Sequence, residues 1–356
     1  MKINKLLLTA LAGSLFFVSC SNDDDANENT PSGAYDNGVL VLNQGGFGAG
    51  NASVSYISDA FALENNIFGT TNPGHVLGDT GQDIGLHGEN AYIVLNASNT
   101  IEVVNRYSFT HIATIENGLV NPRYIAFANS KAYVTNWGDG TSTTDDYVAV
   151  IDLTTNAVTA TIPVAEGPER IIEHQGKLYV SHYGGYSIGH TVSVINLANN
   201  AIQTIATGDA PRSIEIENNI LYILSEGSPS WSGAETPGKL QIVNLSTNMI
   251  AAAFDFPAGS HPSNLVVKDD TFYYTVGAGV YKMTDQATTL PTAPVFSTVD
   301  QGVYGVYSFA VEDDHIYVGD AGDYASNGKV FIYSLTGQKL EEFTVGVIPA
   351  GFYFND

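Results

Sequence analysis

Asn121-Pro122-Arg123-Tyr124-Ile125-Ala126-Phe127 decides how this chain is read, because the chain repeats it. Gly167-Pro168-Glu169-Arg170-Ile171-Ile172, Ala210-Pro211-Arg212-Ser213-Ile214 and His261-Pro262-Ser263-Asn264-Leu265 are variants of the same phrase. Each is followed about nine residues later by an apolar-Tyr-apolar strand: Ala132-Tyr133-Val134, Leu178-Tyr179-Val180, Leu221-Tyr222-Ile223 and Phe272-Tyr273-Tyr274. A stretch of variable length comes next, and then Val-x-Val-Ile-Asp/Asn-Leu, at Val148 to Leu153 and Val192 to Leu197. A unit of roughly 40–50 residues built of four short strands is the mark of a β-propeller blade.

The apolar residue opening each inner strand serves as a marker. Ile84, Ile125, Ile171, Ile214, Leu265, Phe309 and Phe352 follow one another at spacings of 41, 46, 43, 51, 44 and 43. Seven markers predict seven blades. The last has a single strand, Ile348 to Phe354, while Val39-Leu40-Val41-Leu42, Val54-Ser55-Tyr56-Ile57 and a weak strand near Asn66-Ile67-Phe68 have no inner strand before them. The ends therefore complete each other, one C-terminal and three N-terminal strands making the seventh blade and protecting the sheet edges. Six blades with unrelated ends is the alternative. Two units, Gly81 to Leu86 and Gly305 to Phe309, lack the proline, a drift that repeats tolerate because each contacts chiefly its neighbours.

The chain has 356 residues, 44% apolar and 14% charged, so it folds and is neither a disordered polymer nor a membrane protein. Its formal charge is −24, and −24 − 2 = −26 without residues 1–19, which hold Lys2 and Lys5 and no acid. Such a balance repels phosphate backbones, which argues against a nucleic-acid partner. A single cysteine, Cys20, rules out an intramolecular disulfide.

The first nineteen residues read as an address. A basic start at Lys2 and Lys5 leads into Leu6 to Val18, an apolar run thirteen residues long, shorter than the roughly twenty that span a bilayer. Phe17-Val18-Ser19-Cys20 then sets a small residue before the cysteine, as at a processed secretory signal. The plain alternative is a secreted soluble protein with a chance cysteine. Residues 20–37, opening with Ser21-Asn22-Asp23-Asp24-Asp25 after the cysteine, read as a flexible acidic tether, and residues 38–356 as one propeller domain.

Strand direction assigns the chemistry to one end of the ring. The Pro-Arg phrase lies on the face where each inner strand begins, here the mouth face. Turns on the opposite face, the base, are minimal, such as Asn129-Ser130-Lys131 and Glu217-Asn218-Asn219. The loops 138–146, 184–190, 227–238 and 321–328 extend from the mouth, where recognition on a rigid scaffold usually sits. Three of the four arginines, Arg123, Arg170 and Arg212, are read as occupying one repeat position and converging on the axis, a disposition suited to a phosphate or carboxylate. Aromatics rim the same face: Trp137, Tyr183, Tyr186, Trp231, Tyr304, Tyr307 and Tyr324, with Phe47 from the N-terminal strands. Rings beside polar groups suit a large planar or sugar-like ligand. Tyr124, His182 and Asn264 complete the expected set. The bland alternative is that each arginine pairs with a neighbouring blade's acid and each aromatic is packing.

Other motifs fail on context. Gly185-Tyr186-Ser187-Ile188-Gly189 matches a nucleophile elbow but lies between β-strands, not at a strand-to-helix turn. Gly45 to Gly50 has no phosphate-loop spacing. The eight histidines show no ligand-spaced pair for zinc, and a central calcium would meet arginines. The reading is of a protein with no catalytic site, no cofactor and no metal.

The repeat Gly-x-x-Pro-x-x-Ile … Leu-Tyr-Val … Val-x-Val-Ile-Asn-Leu-x-Thr-Asn resembles the YncE-like seven-bladed propellers over nearly all of residues 38–356. Phe17 to Cys20 resembles a bacterial lipobox, with Phe17 where Leu is usual, and the acidic run after it resembles a surface-export tag. Val41-Leu42-Asn43-Gln44-Gly45-Gly46-Phe47-Gly48 … Asn51 to Tyr56 looks like the opening of surface lipoproteins of that group. Some of these capture cobalamin and hand it to a TonB-dependent transporter. The resemblance implies an outer-membrane lipoprotein, touching the membrane only through acylated Cys20, that binds a nutrient, first of all a corrinoid. Siderophore, haem or glycan capture and a protein-interaction scaffold are the alternatives.

Overall fold

In a computed structural model of the chain, residues 33–355 are described; the basic start, the apolar run, Cys20 and residues 21–32 of the expected acidic tether lie outside them. The last residues of that tether, 33–37, instead join the folded body, with Tyr35 buried and donating its hydroxyl to Glu64 at 3.0 Å. The described residues form seven four-stranded antiparallel sheets. All-β, seven-bladed propeller architecture follows. Six blades are read in chain order, with inner strands Gly81–His87, Pro122–Ala128, Pro168–His174, Pro211–Glu217, Pro262–Lys268 and Ser308–Glu312. The seventh takes Pro349–Phe354 as its inner strand, then Gly38–Asn43, Ser53–Ser58 and Leu63–Glu64 outward, so both termini close the ring in one sheet.

One detail differs from the sequence reading. The fourth strand of that blade is Leu63–Glu64, and the Asn66-Ile67-Phe68 segment opens a short helix, Ile67–Thr71. Asn66 turns through left-handed backbone at φ 54°, and Ile67 and Phe68 are fully buried in the contact with the first blade. The two apolar side chains serve that contact better on a helical turn than alternating on an edge strand.

Packing follows from period-two alternation along the second strands. Tyr92, Tyr133, Tyr179, Tyr222, Tyr273 and Tyr317 each point into the contact with the next blade. Their flanking residues, such as Ala132 and Val134 beside Tyr133, point into the contact with the previous blade. The repeated apolar-Tyr-apolar triplet thus fills two interfaces per strand. Base turns are tight: Gln175-Gly176, Asn218-Asn219 and Asp269-Asp270 have positive φ at both residues, the backbone that matches hairpin twist.

A candidate ligand site at the mouth of the axial channel

The inner strands do not begin as regular strands. Register shifts at Gln82, Arg123-Tyr124, Glu169-Arg170, Arg212, Asn264-Leu265 and Ala350 insert one extra residue near the start of six of the seven, Ser308–Glu312 being the exception. A bulge bends its strand and re-aims its side chains. Every one of these bulge residues lines an axial cavity of about 500 Å³. Ser308 to Val311, of the strand without a bulge, line it as well.

Seven of the expected site residues line it: Phe47, Arg123, Tyr124, Arg170, Arg212, Asn264 and Tyr307. The other five do not. Trp137 is half-buried beside the wall, with its Nε1 donating to the Pro168 carbonyl at 3.0 Å. Tyr183 donates its hydroxyl to Glu226 at 3.5 Å. Trp231 and Tyr324 stand 86% and 53% exposed on mouth loops. His182 is buried at 1% exposure, its ring nitrogens bonded to the Glu166 carbonyl and to Ser193 Oγ. Burial pushes its pKa down to about 4, so it stays neutral and serves the sheet. The His182–Ser193 pair is sealed from solvent, and Ser187 of the apparent elbow donates to the Gly184 carbonyl within its loop.

The arginines separate into three cases. They do not share one repeat position: Arg170 falls a residue later after its proline than Arg123 and Arg212, and Glu169 takes the equivalent place. Glu169 accepts from Arg123 Nη2 at 2.7 Å and Nε at 2.8 Å, a forked pair with side chains 15% and 8% exposed. The Arg123 guanidinium also lies 4.1 Å from the Trp137 ring centre, so the pairing reading holds for Arg123. Arg212 makes a looser 3.4 Å contact with Glu226, and half of its side chain faces solvent. Arg170 has no ion pair among the described residues. Its guanidinium stacks 4.1 Å from the Tyr124 ring and reaches solvent through the cavity.

Two acids share the Arg170 field without touching it. Asp83 is held by the Ile125 N–H at 3.0 Å and the Tyr353 hydroxyl at 3.0 Å, and burial raises its pKa against the pull of Arg170. Burial raises Glu215 to about 7, again opposed by Arg170. At neutral pH a fraction of Glu215 is uncharged and compensates the guanidinium less. Around the mouth, Phe47, Tyr186, Trp231, Tyr304 and Tyr324 are the only aromatic side chains more than a third exposed among the described residues, and all five lie on mouth loops.

Residues 37–355 match the model of the family described as "Domain of unknown function (DUF5074)". The chain belongs to that family. The comparison with curated proteins returns no match. Among solved structures, the fold is similar to the computationally designed Ika8 protein, at TM-score 0.56 and 13% identity over 91% of this chain and 92% of that one. Kuenenia stuttgartiensis hydrazine synthase aligns at TM-score 0.55 and 14% identity over 74% and 86%, and the dihydro-heme d1 dehydrogenase NirN, in complex with DHE, at 0.53 and 12% over 90% and 76%. At such identities the likeness concerns the fold alone.

Proposed function

We propose that this DUF5074 chain is a ligand-capture protein of the YncE-like kind. The axial cavity takes an anionic or amide-bearing arm of the ligand, and the aromatic mouth covers an attached flat ring or sugar. The observation that carries the reading is Arg170: a guanidinium stacked on Tyr124, without an ion pair among the described residues, facing a cavity of about 500 Å³. Small-molecule sites run to roughly 300–1,000 Å³ with a few placed polar groups, and this cavity lies within that range. A corrinoid is our first choice of ligand. Its macrocycle exceeds the cavity, so only a side arm would enter, leaving the ring against Phe47 and the neighbouring loops. Siderophore, haem and glycan ligands share the same requirements. The protein would be held at the outer membrane by acylated Cys20 and would pass its ligand to a TonB-dependent transporter docked at the mouth.

Thermal-shift screening of the full chain with cyanocobalamin, haem, a ferric siderophore and an oligosaccharide tests this. A true ligand at a hundredfold excess over Kd stabilises by about 2.7 kcal/mol. Arg170→Gln should weaken binding at least tenfold, and Lys177→Ala on the base should leave it unchanged. A shift with a siderophore but not with cyanocobalamin sinks the corrinoid choice. A ligand whose affinity survives both Arg170→Gln and Phe47→Ala sinks the site.

A further inference from the structure

A second cluster lies on the outer flank of the ring, away from the channel. His75 follows the Ile67–Thr71 helix, Glu102 sits on the third strand of the first blade (Thr100–Asn105), and His111 opens its fourth strand (His111–Ile115). One ligand-type atom from each falls within 4.8 Å of the others. The sequence reading found no ligand-spaced histidine pair, and spacing could not reveal this one. His75 and His111 are joined by the contact between the closing blade and the first.

We propose that His75, Glu102 and His111 bind a divalent transition ion of the zinc class, clasping the closing blade to the first. The donor set fits: two imidazoles and one carboxylate are borderline ligands suited to zinc rather than calcium or magnesium, and leave a fourth position for water. The spacing fits too. His111 Nε2 and Glu102 Oε2 are 3.0 Å apart, close to the ~3.3 Å edge of a tetrahedron with ligand bonds of about 2.0 Å. The rings of His75 and His111 lie 4.3 Å apart at 57°, and the His75 ring nitrogens have no hydrogen-bond partner among the described residues.

Supporting contacts are already built. Thr114 Oγ1 donates to Glu102 Oε2 at 2.9 Å, leaving the other carboxylate oxygen of this buried side chain for adjustment. Asn72 stitches the two blades beneath the cluster. Its Nδ2 donates to the Phe68 and Phe109 carbonyls at 2.9 Å each, and its Oδ1 accepts the His111 N–H at 2.8 Å. Phe68 meets the His75 ring edge-on at 5.6 Å, fixing its plane. Such outer contacts orient ligands and tune affinity. Both histidines reach solvent, which gives the ion a path in.

The test is equilibrium dialysis of the full chain, made without a histidine tag and stripped with EDTA, against Zn2+ and separately Mg2+. One equivalent of zinc and no magnesium is expected, with bound Co2+ giving the intense visible absorption of a four-coordinate site. His75→Ala and Glu102→Gln should each lower zinc affinity at least tenfold. Circular dichroism of the stripped variants checks that they fold, and His75, partly exposed, is the substitution least able to disturb the core. Zinc should also raise the melting temperature of the parent by several degrees and leave His75→Ala unmoved. No stoichiometric zinc, or zinc bound equally by His75→Ala and Glu102→Gln, overturns the site and leaves a plain His111–Glu102 contact.

Discussion

Arg123 and Arg170 stand on adjacent inner strands, and only the first is engaged by an acid. Truncating Arg123 leaves the Glu169 carboxylate buried without its forked partner, and also removes the cation over Trp137. Arg123→Ala should therefore cost about 2–4 kcal/mol in denaturant unfolding, whereas Arg170→Gln, which breaks no ion pair among the described residues, should stay within about 0.5 kcal/mol. His182 gives the pH dependence. Its folded pKa of about 4 lies below the unfolded value, so between pH 6.5 and 4 the unfolded chain binds the proton that the native state refuses. Stability then falls as pH falls through that window, by on the order of 2–3 kcal/mol, and His182→Gln should flatten that slope in melts from pH 7 to 4. The sequence revealed where the arginines stand. It did not reveal which was free, because Glu169 is an acid in the position that the repeat gives to arginine.

At the scale of the strand, the bulges were not legible in the sequence. Pro122 and Ile125, Pro168 and Ile171, Pro211 and Ile214, and Pro262 and Leu265 are all buried pairs three apart. A regular strand puts residues an odd number apart on opposite faces, but both faces of a blade are covered by its neighbours, so this burial would be met with or without an inserted residue. The Asn66 to Phe68 segment was no more legible: three residues with two apolar ones carry no periodicity that separates a strand from a helical turn. One buried polar residue adds to the strand pairing that closes the ring. Asn355 is fully buried, donates through Nδ2 to the Tyr35 and Arg106 carbonyls, and accepts from Arg106 Nε. Asn355→Ala would orphan these groups at about 2–4 kcal/mol, read as a lowered urea midpoint with an unchanged m-value.

Over the whole molecule, the blade repeat and ring closure could be read because each rests on a pattern repeated six or seven times. The flank cluster could not, since it occurs once and joins His75, in the connection after the closing blade's outer strand, to Glu102 and His111 on two later strands. The net charge of −24 is a property of the entire surface and bears on rate. An anionic ligand approaches a repelling field until it meets the mouth, so its association rate should rise several-fold between 10 and 150 mM salt in stopped flow, as shielding shortens that field. Closure also sets a timetable. The strand that packs between the sixth blade and Gly38–Asn43 is made after every other, so a growing chain presents one unpaired sheet edge, that of Gly38–Asn43, and an uncovered face on the sixth blade until residue 354 emerges. Until then the propeller is an open fan, vulnerable to pairing with its neighbours, and its axial channel is enclosed only by the final strand.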